Sequence, residues 1–167
     1  MKLVIIALFL ISCSEIREVK NSNTPINVQE SSSVEITITN KGETSSLVKS
    51  DLLIQNDKES FMRLNGNVQI ILFENKNLSS ITSCDSAFVD QEKNIIKAFG
   101  NIQVKGIEEK FLFCQTMEWN NDSNKIISDS DVLFITSKDT LYGNYFESDI
   151  DLSNWILRNP KGVINNE

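Results

Sequence analysis

The sequence predicts an all-β fold, and three observations support this prediction. Apolar and polar residues alternate with a period of two in several segments, which is the pattern of half-buried strands. Clusters of Asn, Asp, Ser and Lys separate these segments, and such clusters are typical of turns. Beyond residue 33, no window offers an amphipathic helix of about 12 residues or more. Short strands joined by polar turns indicate a sandwich, a roll or a barrel.

The predicted strands follow one another at regular intervals along the chain. The first begins at Val34, where Val34, Ile36 and Ile38 alternate with polar residues. The apolar positions of the next predicted strands are Val68, Ile70, Leu72, Ile96, Ala98, Ile102 and Val104. Predicted turns lie at residues 56–59, 90–94, 120–124 and 151–154. The apolar side chains of each strand are therefore expected to point into a common interior.

An internal repeat organises these strands. Its strand centres are Val68, Ile102, Val132 and Val163, which are separated by 34, 30 and 31 residues. A second shared element lies upstream of each centre and consists of a small residue, two mostly polar residues and an apolar one. Its four copies span residues 50–53, 84–87, 114–117 and 143–146. We predict that the inward face shifts by three residues in this element, as at a β-bulge or strand corner.

Composition excludes several classes of function. The chain has 16 basic and 23 acidic residues and a net charge of −7, which argues against binding to nucleic acid. Histidine is absent, so Ser-His-Asp and Cys-His nucleophile systems and a histidine general base are excluded. Asp51 and Asp85 share a repeat position, so we predict a structural role for them rather than that of paired catalytic carboxylates. We therefore expect neither an enzyme nor a cofactor.

Carboxylate pairs at 129/131 and 149/151 raise the question of a metal site. Calcium takes several oxygen ligands, but the spacing here matches no complete calcium loop. We expect these carboxylates to be exposed turn residues and predict no metal site.

The N-terminus is predicted to be a targeting segment. Met1-Lys2 precedes an apolar run from Leu3 to Ile11, which is too short for a transmembrane helix and fits a secretory signal. The sequence Leu10-Ile11-Ser12-Cys13 resembles the bacterial lipoprotein box, which implies cleavage before Cys13 and lipidation of its thiol. The alternative is an ordinary secretory signal with an incidental cysteine. We thus predict a signal peptide at 1–12, a flexible tether at 13–33 and one domain at 34–167.

The C-terminal repeat carries the clearest resemblance to a known family. This segment reads Gly143-Asn144-Tyr145-Phe146-Glu147-Ser148-Asp149-Ile150-Asp151-Leu152-Ser153-Asn154, followed by an apolar strand and Gly162. It resembles a stretch of the LptC family, periplasmic lipopolysaccharide-export proteins that share a fold with their LptA partners. The likeness runs from Val34 to Ile164 through the order of the four repeats. It implies an open, twisted, antiparallel β-jellyroll built from about four strand–turn–strand units.

The resemblance also implies a function without bond chemistry. The protein would bind lipopolysaccharide and pass it from an inner-membrane ABC transporter to an LptA-like periplasmic bridge protein. The acyl chains would lie in an apolar groove too wide for side chains to close. In-phase inward positions of the repeats predict that this groove is lined by Val68, Ile70, Leu72, Ile102, Val104, Val132 and Phe134.

An open jellyroll leaves an unpaired edge, and such an edge can pair with a strand of another chain. The last two strands lack dense lysines, and Pro160 and Lys161 are expected to stand between them. We predict that the bridge protein docks on this edge, through Trp155, Ile156, Leu157, Val163 and Ile164.

Three alternatives remain open from the sequence. Cys84 and Cys114 occupy equivalent repeat positions and are predicted to be buried thiols, with a disulfide as the alternative. The protein is expected on the periplasmic side of the envelope, anchored in the inner membrane, although Ser14 after the cysteine favours the outer membrane under the sorting rule of some bacteria. The rival function is a surface or outer-membrane β-repeat lipoprotein that acts as a scaffold, with a filled core and no lipid ligand.

Overall fold

A computed structural model describes residues 28–56 and 60–164. These residues form twelve β-strands and no helix, and every strand pair is antiparallel, which confirms the predicted fold class. The strands are β1 (Val28–Asn40), β2 (Glu43–Asn56), β3 (Phe61–Glu74), β4 (Asn77–Asp90), β5 (Ile95–Lys105), β6 (Phe111–Asn120), β7 (Lys125–Ser128), β8 (Val132–Ile135), β9 (Asp139–Gly143), β10 (Tyr145–Asp149), β11 (Trp155–Arg158) and β12 (Lys161–Ile164). The predicted signal peptide and Cys13 lie outside the described residues, as does much of the predicted tether. Within the described part of the chain, no helix is long and apolar enough to cross a membrane.

The strands form one meandering sheet. Strands β1 to β6 pair in chain order, and β6 then pairs with both β7 and β8. Beyond β6 the sheet divides into two series of short strands. In one series β7 pairs with β10 and β10 with β11, and in the other β8 pairs with β9 and β9 with β12. In the described residues, β1 pairs on one side only, as do β11 and β12. The sheet is therefore open, with one edge at each end of the chain.

A row of bulges crosses the long strands at the predicted corners. The register shifts between Lys49 and Leu52 on β2, and between Ser83 and Ser86 on β4. The intervening odd-numbered strands shift at 65–68 and 99–102. On β4 and β6 the buried positions step by three residues, from Cys84 to Ala87 and from Cys114 to Met117, as predicted. On β3 and β5 they step by four, because the sequence Gly-Asn occupies each corner.

Contacts between unpaired strands show that the sheet folds at this row into two facing layers. The ring of Phe134 on β8 lies 4.8 Å from that of Phe146 on β10 and 5.2 Å from that of Trp155 on β11. We call the first layer the Ile70 layer (residues 44–49, 68–74, 77–84, 102–105, 111–114, 132–135, 139–143 and 161–164). The second is the Trp119 layer (residues 52–56, 61–65, 86–90, 95–99, 116–120, 125–128, 145–149 and 155–158).

The first strand begins earlier than the sequence predicts. Strand β1 starts at Val28, whereas the domain boundary was predicted at Val34. Residues 28–33 are all exposed, and residues 28–32 pair with residues 52–56 of β2. They carry no apolar alternation because an edge strand is held here by backbone hydrogen bonds on one side and buries little.

Candidate functional site

The seven predicted groove residues all point into the interior between the two layers. Their side chains are 0–4% exposed. They belong to three strands of the Ile70 layer: Val68, Ile70 and Leu72 on β3, Ile102 and Val104 on β5, and Val132 and Phe134 on β8. The common orientation follows from the period-two alternation of each strand and from the register that aligns the strands.

Strand register joins these residues into continuous rows. One row runs across the whole Ile70 layer through directly paired residues: Val48, Ile70, Thr82, Val104, Leu112, Phe134 and Leu141. The sequence prediction missed Val48, Thr82 and Leu112, which lie on even-numbered strands, and Leu141, which lies on β9. The signal for Leu112 was available, because it precedes Cys114 by two residues and so shares its face.

A second row faces the first from the Trp119 layer. It consists of Met62, Val89, Ile96, Trp119 and Ile126, which are directly paired from strand to strand and are 0–6% exposed. Together the two rows form a single hydrophobic cluster. Side chains thus close over most of the interior in this structure, whereas the sequence led us to expect a trough too wide to close. An acyl chain could enter only where the layers part.

The interior stays open near β1. A cavity of about 290 Å³ lies between Ile36 and Ile38 of β1 and the start of the second row, formed by Met62, Val89, Ile96 and Trp119. The turns after β4 and β6 border it with the polar residues Asp90, Gln91, Asn94 and Asn121. This volume is roughly twice the ~150 Å³ of an engineered cavity that holds a benzene molecule.

Several polar atoms of the interior lack partners. Among the described residues, five buried side-chain atoms have no hydrogen bond: Ser46 Oγ, Ser80 Oγ, Thr82 Oγ1, Trp119 Nε1 and Asn121 Oδ1. Buried polar groups are nearly always paired, so such atoms call for a specific explanation. Two of the five belong to residues that line the cavity.

Cys84 and Cys114 are buried free thiols, which is the state that the sequence favours. Burial raises the pKa of Cys84 to about 11, and the Sγ atom of Cys84 lies 3.3 Å from the carbonyl oxygen of Ser86. Burial likewise raises the pKa of Cys114 to about 11. Both thiols remain protonated at neutral pH and take part in the packing of the corners.

The predicted docking edge is an open strand edge with exposed apolar side chains. Trp155 is 38% exposed and Ile156 is 55% exposed, whereas Leu157 packs against the core. The backbones of Val163 and Ile164 pair with Thr140 and Asp139 on β9. The sequence placed Lys161 between the last two strands, but Lys161 is the first residue of β12 and pairs with Tyr142.

The carboxylate of Asp149 joins neighbouring elements near the C-terminus through its hydrogen bonds. Asp149 accepts hydrogen bonds from Lys125 at 2.6 Å and from Asn154 at 2.6 Å. The hydrogen bond from Lys125 is the largest cause of the lowered pKa of Asp149, and the hydrogen bond from Asn154 is the next largest. They join β7, β10 and the turn before β11. In the described residues, no group of three or more acidic or cysteine side chains could hold a metal ion.

Comparison with known proteins identifies the family. Residues 43–155 match the family profile described as OstA-like protein, which covers more than half of the chain. The chain belongs to the OstA-like family. No curated protein matches the sequence. The narrower assignment to the LptC group is not tested by this match and stays a prediction.

A solved structure supports the fold of this OstA-like chain. It is LptH of Pseudomonas aeruginosa, described as the LptA-homologous periplasmic component of the conserved lipopolysaccharide transport device. The two chains are 13% identical, with a TM-score of 0.58 over 72% of this chain and 95% of LptH. The likeness confirms that the open antiparallel sheet is an LptA-like β-jellyroll.

Proposed function

We propose that this OstA-like protein is a periplasmic component of lipopolysaccharide export that holds the acyl chains of its cargo between its two layers. It receives lipopolysaccharide from an inner-membrane ABC transporter and passes it to an LptA-like bridge protein. The observation that carries this proposal is the continuous buried row across the Ile70 layer, apolar at every position but Thr82, inside an open β-jellyroll of the OstA-like family.

The physical basis of binding is burial of hydrocarbon. Each methylene group that moves from water into the interior contributes about 0.8 kcal/mol. The layers must part to admit it, and the strands that run through the corners join them along one side, so that the corners can act as a hinge. The energy for directional flow comes from the ATP-driven transporter.

Net charge indicates which part of the cargo is recognised. The chain carries a net charge of −7, and the phosphates of lipopolysaccharide are also negative. Head groups therefore remain in solvent, and the acyl chains provide the recognition.

We further propose that a lipid on Cys13 tethers the protein on the periplasmic face of the inner membrane, with the outer membrane as the alternative. The open edge formed by β11 and β12 then meets the bridge protein by strand addition.

Site-specific photo-crosslinking in cells tests the proposal. A photoreactive residue at Ile70 or Val104, which point inward, should capture lipopolysaccharide, and one at Gln69 or Gln103 should not. Each variant is compared at equal accumulation of folded protein. Equal capture at inward and outward positions would contradict a specific groove.

The filled interior favours a second candidate, a β-repeat scaffold lipoprotein without a lipid ligand. Buried side chains of the hydrophobic cluster are at most 7% exposed, so most of the core is closed without cargo. Absence of capture at both Ile70 and Val104 would support this scaffold over the transport component.

A further inference from the structure

The cavity beside β1 differs from the rest of the interior in its polar atoms. Its walls are apolar, being formed by Ile36 and Ile38 on one side and by Met62, Val89 and Ile96 on the other. Within these walls Trp119, which is 1% exposed, has an indole N–H that meets no acceptor in the described residues. Asn121 is 7% exposed, and its side-chain oxygen meets no donor there.

These two atoms form a complementary pair of hydrogen-bonding groups. Nε1 of Trp119 can only donate, and Oδ1 of Asn121 can only accept. A ligand that satisfies both must offer one acceptor and one donor at the end of an apolar body. A secondary amide has this pattern, since its carbonyl oxygen accepts and its N–H donates.

We propose that this cavity binds the amide linkage through which an acyl chain is attached to its head group. The amide oxygen accepts from Trp119 Nε1, the amide N–H donates to Asn121 Oδ1, and the acyl chain lies against Ile36, Ile38 and Met62. This inference rests on the proposed function and names the part of the lipid that the β1 end of the interior recognises.

The surroundings of the cavity favour this occupant over two others. A peptide segment carries a backbone amide at every residue. The aliphatic walls of the cavity offer no partners for most of these amides, so they would remain unpaired. An anionic group is disfavoured by the carboxylate at the rim. Asp90 lines the cavity and is paired with Lys93 at 2.8 Å, and no lysine or arginine is among the described residues that line it.

Two matched glycolipids test the proposal on the purified full-length chain. N-decanoylglucosamine carries a ten-carbon chain on an amide, and decyl glucoside carries one on its glycosidic oxygen. Titration calorimetry below the micelle concentration of each should show the amide lipid binding about 10- to 30-fold more tightly. This range corresponds to two hydrogen bonds at roughly fivefold each.

Variants locate the effect at the two atoms. Trp119→Phe keeps an aromatic ring but removes the pyrrole part of the indole with its N–H, and Asn121→Leu removes the oxygen. Lost packing affects both lipids alike, so each variant should reduce the preference for the amide lipid about fivefold. Asn77→Leu is the matched control for Asn121→Leu at an exposed position away from the cavity, and it should preserve the preference.

Equal affinity of the wild-type chain for both lipids overturns the cavity proposal without any reliance on variants. So does an undiminished preference in both Trp119→Phe and Asn121→Leu. Lipopolysaccharide capture at Ile70 in cells distinguishes the two levels of inference. If Ile70 captures lipopolysaccharide but the chain shows no preference for the amide lipid, the cavity proposal is contradicted and the transport function stands. If Ile70 captures no lipopolysaccharide, the transport function itself is contradicted.

Discussion

Two aspartates hold the corners of the long strands. Asp51 accepts a hydrogen bond of 2.6 Å from the side chain of Asn67, and Asp85 accepts one of 2.8 Å from Asn101. Each asparagine follows a glycine, and all four Gly-Asn residues have positive φ, between 44° and 76°. The side chain of aspartate thus lies over the glycine of the neighbouring strand. This arrangement explains why both residues recur in phase in the sequence and supports the structural role predicted for Asp51 and Asp85.

The glycine at the second corner should be sensitive to substitution. Gly100 has φ +75°, and a Cβ atom there would collide with the carboxylate of Asp85. We expect Gly100→Ala to lower the free energy of unfolding by about 2–3 kcal/mol, since backbone strain and steric overlap combine. Urea denaturation measures the change.

Gly42→Ala is the matched control for the corner glycine. Gly42 has φ +84°, but nothing lies within 4 Å of its added Cβ. Gly42→Ala should therefore lower the free energy of unfolding only by the cost of the backbone conformation, about 1 kcal/mol. Equal losses in the two variants would show that the contact with Asp85 contributes nothing.

Interruption of the strands after β6 shapes the C-terminal half of the sheet. The third corner has Gln115 in the place of aspartate and Asp129-Ser130-Asp131 in the place of Gly-Asn. Without the corner pair, the strand breaks into β7 and β8 instead of bending through a bulge. The element nearest the C-terminal edge is therefore a pair of short strands, β11 and β12, whose outer backbone groups have no strand partner in the described residues.

A charge on this edge should weaken docking of the bridge protein. Ile156 is 55% exposed on β11, and a lysine on an edge strand opposes pairing with another strand. We expect Ile156→Lys to reduce co-purification of the LptA-like partner several-fold, with a free energy of unfolding within about 0.5 kcal/mol of the wild type. Ile107→Lys is the control, since Ile107 is 40% exposed in the loop between β5 and β6, away from both edges. Full recovery of the partner with Ile156→Lys would place the joint elsewhere.

The molecule as a whole consists of two layers that are continuous through the corners and closed over an apolar interior. At the side opposite the corners, Asn124 in the turn before β7 donates a hydrogen bond of 3.4 Å to Glu74 at the end of β3. An exposed contact of this kind contributes little to stability. Opening this side therefore breaks little polar bonding, and the apolar surface that it uncovers would be covered again by the acyl chains proposed as cargo.

Joining the layers at this contact should prevent uptake of cargo. On a Cys13→Ser background, Glu74→Cys combined with Asn124→Cys provides two exposed thiols for a short bismaleimide, while burial and the raised pKa values of Cys84 and Cys114 keep those two thiols unreactive. We expect the crosslinked protein to lose most of its binding of lipopolysaccharide. The same double variant treated with a monofunctional maleimide should bind normally. Undiminished binding after crosslinking would show that cargo enters without separation of the layers.

The sequence by itself determined the local design of this protein. Period-two alternation identified the inward positions of β3, β5 and β8, because the side chains of a strand alternate between its two faces whatever the rest of the fold does. The repeat located the corners for a similar reason: Asp51 with Asn67 and Asp85 with Asn101 are contacts between adjacent strands.

Tertiary structure alone decided what depends on how the two layers face each other. The closure of the interior, the cavity between Ile36 and Trp119, and the unpartnered atoms of Trp119 and Asn121 all arise between segments about 80 residues apart. The start of β1 at Val28 depends likewise on backbone pairing with β2, which its polar side chains do not reveal. Such features depend on the twist of the sheet and on the combined volume of all the facing side chains, and a local sequence pattern contains information on neither.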